Sequence, residues 1–180
     1  MRKLLPLFAL SLIATQAQAA PRPGFHAGPV FTQFGEIATV ASDMPIPKAM
    51  VFRTAFNVSE KAKPGELSRA IETAARFINM HVEAGVPIAN IHVAIVVHGP
   101  ASADLLTPEA YAARNDGAAN GSAAAIAALT ARGVEIWQCG QSAASLSIAK
   151  GDLLPNVKMA LSAMTAFAVL QQRGYAVNPF

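Results

Sequence analysis

The segment IHVAIVV, Ile91–Val97, is apolar almost without interruption. That run constrains the fold more than any other stretch of the chain. A half-exposed strand alternates apolar and polar residues, and an amphipathic helix repeats every 3.6 residues. A short unbroken apolar run suits instead a parallel strand covered on both faces. Parallel strands are joined by long crossovers, usually helices.

The flanking sequence supplies those helices. MVFRTAFNV, Met50–Val58, predicts a strand before it. Pro64-Gly65-Glu66 opens a helix that runs to about Ala84, with Leu67, Ile71, Ala74, Ala75, Ile78 and Val82 on one stripe. Gly85 and Pro87 stop it. After an irregular stretch, His98 to Ser122, with one short helix near Pro108–Arg114, comes an alanine-rich helix from Ser122 to Arg132, closed by Gly133. Val134–Cys139 reads as a third strand, Gly140 to about Ala149 as a short helix, and Asn156–Leu161 as a fourth strand. Ser162 caps a helix reaching Gln172, which Gly174 ends, and YAVNPF supplies a last edge strand. Strands alternating with helices predict an α/β domain. The expected form is a three-layer α/β/α sandwich with right-handed crossovers and a mostly parallel sheet of about five strands. It is Rossmann-like without a dinucleotide fingerprint, because VSEKAKPGE after the first strand has neither the GxGxxG nor the Walker glycine pattern.

Residues 1–19 read differently. Arg2-Lys3, an apolar run from Leu4 to Ala14 and Ala17-Gln18-Ala19 have the form of a cleaved secretory signal peptide. The run is too short for a stable membrane anchor, and export from a Gram-negative cell would mean the periplasm. Residues 20–48 form a proline-rich N-terminal arm, and residues 49–180 the α/β domain. VFTQFGEIATV within the arm reads either as two short strands around Gly35 or as an extended segment lying on the domain, the second favoured. Without Arg2 and Lys3 the chain keeps 12 basic residues against 11 acidic ones, a balance of +1. No basic stripe with interleaved aromatics accompanies it, so nucleic-acid binding is not expected.

Cys139 is the only cysteine, so no internal disulfide can form. Its thiol is buried and inert, paired between molecules, or reactive. In open parallel sheets ligands bind beyond the carboxyl ends of the strands. Asn57, His98 and Cys139 each end one of the first three strands, so neighbouring strands would bring all three to one rim. Cys139 also precedes the GQSAAS helix start, whose unpaired N–H groups stabilise a thiolate. Gly140 lets the backbone pass close under the sulfur, and Gln141 and Ser142 can donate hydrogen bonds to it. His98, with Gly99 after it, either exchanges a proton with the thiol or bonds a loop. His26, His81 and His92 are separated from this rim, and no metal-ligand spacing occurs. No metal or cofactor is expected. Neither a G-x-S-x-G elbow nor a CxxC pair is present.

AIVVHGPA (Ala94–Ala101), GVEIWQCGQSAA (Gly133–Ala144), LLPNVKMALSAMTAFAVLQQRGY (Leu153–Tyr175) and the terminal NPF resemble the DsrE-like (DsrE/DsrF/DsrH) family, and most closely its exported branch. The resemblance covers about Val51 to Phe180. It implies an α/β/α sandwich assembled into trimers or hexamers, and a cysteine that carries sulfur as a persulfide. Cys139 matches that cysteine. Periplasmic export departs from the cytoplasmic carriers and makes tRNA thiolation implausible.

The leading expectation is a periplasmic sulfur-relay protein, with Cys139 as the catalytic thiol and Asn57, His98, Gly99, Gly140, Gln141 and Ser142 around the ligand. It would act with a sulfur donor or acceptor protein or a small thiol. The alternatives are a non-catalytic oligomeric ligand-binding module and a thiol redox sensor. MALSAMTAFAVL is apolar on nearly every helical face, so that helix is expected to be buried in its own core or against another subunit.

Overall fold

The computed structural model describes residues 22–179. The signal-peptide reading of residues 1–19 therefore lies outside the described residues. Strands β1 (Phe25–His26) and β2 (Ile37–Ala38) form a small antiparallel pair in the arm. Then follow β3 (Phe52–Val58), α1 (Arg69–Glu83), β4 (Ile91–Val97), α2 (Pro108–Ala112) and α3 (Ala123–Ala131). The chain continues through β5 (Glu135–Cys139), α4 (Gly140–Ser145), β6 (Val157–Ala160), α5 (Ala163–Gln172) and β7 (Ala176–Asn178). A 3-10 segment, Gly99–Leu105, follows β4.

The main sheet has five strands in the order β6-β5-β4-β3-β7. Every pairing within it is parallel. The predicted α/β/α sandwich is thus the observed fold. The apolar β4 lies near the middle, between β3 and β5, with Val93 through Val97 buried on both faces. Fully burying Ile95 alone contributes about 2 kcal/mol.

One face of the sheet carries α1, α3 and α4. Ile71, Ala74, Ile78, Ile126, Leu129 and Ala143 pack there against Phe56, Val58, Ile95 and Ile136. The other face carries α5, where Ala166 and Leu170 cover Ala55, Ala94 and Val96.

Three boundaries differ from the sequence reading. Helix α1 starts at Arg69 rather than at Pro64-Gly65-Glu66, because Gly65 has φ +82° and the Glu66 N–H donates to Lys63 O in a turn. Ser68 then caps the helix by accepting from the Ile71 N–H. Helix α4 ends at Ser145, since Ser147 has φ +52°, which no helix accommodates. In the arm, β2 falls within VFTQFGEIATV, but its partner precedes that segment instead of lying across Gly35. The rest of the arm lies on α1. Asn79, fully buried, holds it: its Oδ1 accepts from the N–H groups of Val30 (3.1 Å) and Phe31 (2.9 Å), and its Nδ2 donates to the carbonyls of Phe31 and Gly35 (2.9 Å each).

Of the two readings for MALSAMTAFAVL, burial in its own core does not hold within the described chain. Only Ala166 and Leu170 of α5 are buried, while Met164 is 79% exposed, Val169 48% and the preceding Leu161 74%. One α-helix on a flat sheet buries one stripe, and here the residues off that stripe are apolar as well.

Candidate functional site: the carboxyl rim of the sheet

The register brings the strand ends level. Val58 pairs with Val97, and Val97 with Gln138. His98 and Cys139 follow those partners directly, and Asn57 pairs with Val96. Side chains alternate along each strand. Asn57, His98 and Cys139 therefore share the α5 face of the sheet, the face of Val96 and Trp137.

Cys139, Asn57, His98, Gln141 and Ser142 line one cleft of about 400 Å³, together with Ser162, Ala163, Met164 and Phe167. Cys139 is 5% exposed and is the residue from which α4 starts. The Ser142 N–H donates to its Sγ at 3.5 Å. Burial acts to raise the thiol pKa. The Ser142 hydroxyl and the backbone N–H groups of Ser142, Ala163 and Gln141 outweigh it, and the net result lies below the ordinary thiol value. The start of α4 thus bonds the sulfur, and Ala163 at the start of α5 lines the same cleft.

Both predicted glycines have steric roles. A Cβ on Gly140 would sit 2.6 Å from Ala160 O and 3.0 Å from Leu161 O, so only glycine lets β5 enter α4 against β6. Gly99 has φ +56°, a region glycine enters without penalty, and its N–H donates to Ser142 Oγ at 2.9 Å. One hydroxyl therefore ties the loop after β4 to the thiol.

Two side chains do something other than serve the sulfur directly. The His98 ring pairs through Nε2 with Asn57 Oδ1 at 2.8 Å. A carbonyl oxygen only accepts, so Nε2 carries the hydrogen in this pair. His98 thus bonds its neighbouring strand, not the thiol. The Gln141 side chain donates to Leu161 O at 3.4 Å, so Gln141 reaches the sulfur through its backbone N–H instead of its amide.

Sequence reasoning missed Ser162, Ala163, Met164 and Phe167. A signal for them exists. Ser162 is legible as a helix cap, and a cap directly after a parallel strand lies on the same rim by the rule that placed Cys139. Among the described residues no group of three or more His, Cys, Asp or Glu is placed to hold a metal ion. His26 pairs with Glu83 at 2.7 Å on the arm, and His81 bonds Phe77 O at 2.7 Å, both away from this cleft. No helix among the described residues is long and apolar enough to cross a membrane.

The fold and site together are a parallel α/β sandwich with Cys139 at a strand-to-helix junction on the carboxyl rim of the sheet. The model of the DsrE/DsrF-like family matches residues 50–179, and the chain belongs to that family. A solved structure, the protein of unknown function MTH1491 from Methanobacterium thermoautotrophicum, is similar over 72% of this chain and 99% of its own, with a TM-score of 0.54 and 16% identity. That likeness shows the shared fold. No curated protein matches the chain in sequence.

Proposed function

We propose that this protein relays sulfane sulfur as a persulfide on Cys139. The observation that carries the reading is the position of Cys139, at the start of α4 with its sulfur accepting from the Ser142 N–H inside an open cleft, an environment that lowers its pKa. A thiolate is the nucleophile in sulfur exchange. The Cys139 thiolate attacks the outer sulfur of a donor R–S–SH. A Cys139–S–SH bond forms, the donor S–S bond breaks, and R–S⁻ leaves. An acceptor thiolate then attacks the outer sulfur and releases Cys139. The N–H groups that favour the resting thiolate also favour it as the leaving group in the second step. Membership of the DsrE/DsrF-like family supports the reading.

The form of residues 1–19 supports the exported branch and a periplasmic site of action, with a donor or acceptor protein or a small thiol as partner. The exposed Leu161, Met164 and Val169 support assembly into a trimer or hexamer through α5.

The test is intact mass of the protein isolated without reductant. A species one sulfur atom heavier is expected, lost on mild reduction and absent in Cys139→Ser, which keeps the fold. Normal loading of Cys139→Ser would end the proposal. The 5% exposure of Cys139 favours one rival, a non-catalytic binding module with a packing thiol. That rival predicts alkylation only after unfolding.

A further inference from the structure

Among the described residues, the cleft around Cys139 is lined by no lysine or arginine that would hold a second anion, and by no Asp or Glu. Most of the polar groups that do line it are already partnered within the protein, the Asn57 Nδ2 group being an exception, since only its Oδ1 is bonded. Asn57 pairs with His98, the Gln141 amide with Leu161 O, Ser142 Oγ with the Gly99 N–H, and Ser162 Oγ with Thr165. The Ser142 N–H donates to the Cys139 sulfur itself, and the N–H groups of Gln141 and Ala163 also favour its thiolate. What remains of the wall is Ala163, Met164 and Phe167. Thioether and aromatic groups favour contact with polarisable divalent sulfur.

Resting on the sulfur-relay reading, we infer that this cleft selects an uncharged organic polysulfane, R–S–S–S–R′, over anionic sulfane donors such as thiosulfate. The thiolate already engages the Ser142 N–H, the backbone donor nearest to hand for an anion. An incoming anion meets like charge with no cation to offset it, which disfavours its approach. A neutral sulfur chain meets no such repulsion and gains contact with Met164 and Phe167.

The chemistry balances without an oxidant. The Cys139 thiolate attacks the central sulfur, forming Cys139–S–S–S–R and releasing R′–S⁻. That thiolate attacks the sulfur bearing R. The disulfide R–S–S–R′ forms, and Cys139 leaves as the perthiolate, one sulfur richer.

The test compares three methanethiosulfonates on the native protein at pH 8: the neutral methyl reagent, the anionic 2-sulfonatoethyl reagent and the cationic 2-(trimethylammonio)ethyl reagent. Each rate is divided by that of free 2-mercaptoethanol. The neutral reagent is expected to exceed the sulfonate by at least about tenfold, the effect of one uncompensated like-charge contact. Met164→Lys, at a position 79% exposed on the cleft wall, is expected to reduce that ratio severalfold. Dimethyl trisulfide is expected to load one sulfur atom where thiosulfate loads none. A sulfonate as fast as the neutral reagent, or equal loading by thiosulfate, overturns the selectivity and leaves the relay reading standing. A thiol unreactive to all three reagents until unfolding overturns both.

Discussion

The two faces of the sheet are finished differently. Under α1, α3 and α4 the core is closed and then covered again by the arm, which Asn79 bonds through both ends of its amide. Under α5 a single helix covers Ala55, Ala94 and Val96. Beside it, Trp137, Leu161, Val169 and Leu170 line an apolar cleft of about 200 Å³. The reactive-cysteine cleft opens on this second face. A closed face gives the sheet its stability. An open one leaves room for a ligand or a subunit, so the division of labour follows the coverage.

Truncations should read that division most strongly. Leu129→Ala, on the closed face, is expected to cost about 4 kcal/mol, because its surroundings cannot collapse into the void. Leu170→Ala is expected to cost about 2 kcal/mol, since it already borders an open cleft that can relax. Urea unfolding measures both, and equal losses would remove the contrast. Asn79→Ala leaves the arm's backbone groups without partners and is expected to cost about 3 kcal/mol. Limited proteolysis should then cut residues 28–36 while the sheet stays intact.

On the open face the effects move from stability to chemistry. The rate of Cys139 alkylation is expected to rise with pH to a plateau whose midpoint lies below that of an ordinary thiol. A lowered pKa keeps the thiolate populated as pH falls, until pH drops through the folded-state value. Ser142→Ala removes the hydroxyl donor and should move the midpoint up. The smallest expected change in stability follows Leu161→Glu, within about 0.5 kcal/mol because the residue is exposed. Sedimentation should nevertheless show a shift toward monomer if α5 joins subunits.

The contrast also separates what the sequence made legible from what it did not. Unbroken apolar strands and their glycine-marked turns specified the parallel sheet. The same parallel rule brought Asn57, His98 and Cys139 to one rim, since strand ends are local features with a global meaning. The Ser162 cap marks where α5 meets that rim, but which α5 residues face the cleft was hidden. Ala163, Met164 and Phe167 sit in a segment with little polar contrast, so periodicity could not tell its buried stripe from its exposed one. The fates of the His98 ring and the Gln141 amide were hidden too. Each depends on a partner in another strand or loop, Asn57 and Leu161, which no local pattern encodes.

The Asn79 staple has a consequence for the order of events. The residues it joins are 44 to 49 positions apart, so the arm's bonds await a helix made long after the arm itself. Such distant closures come late in folding. The arm is therefore a seal fitted over α1, and its amides should be among the first to trade hydrogen with deuterated water as the protein begins to open.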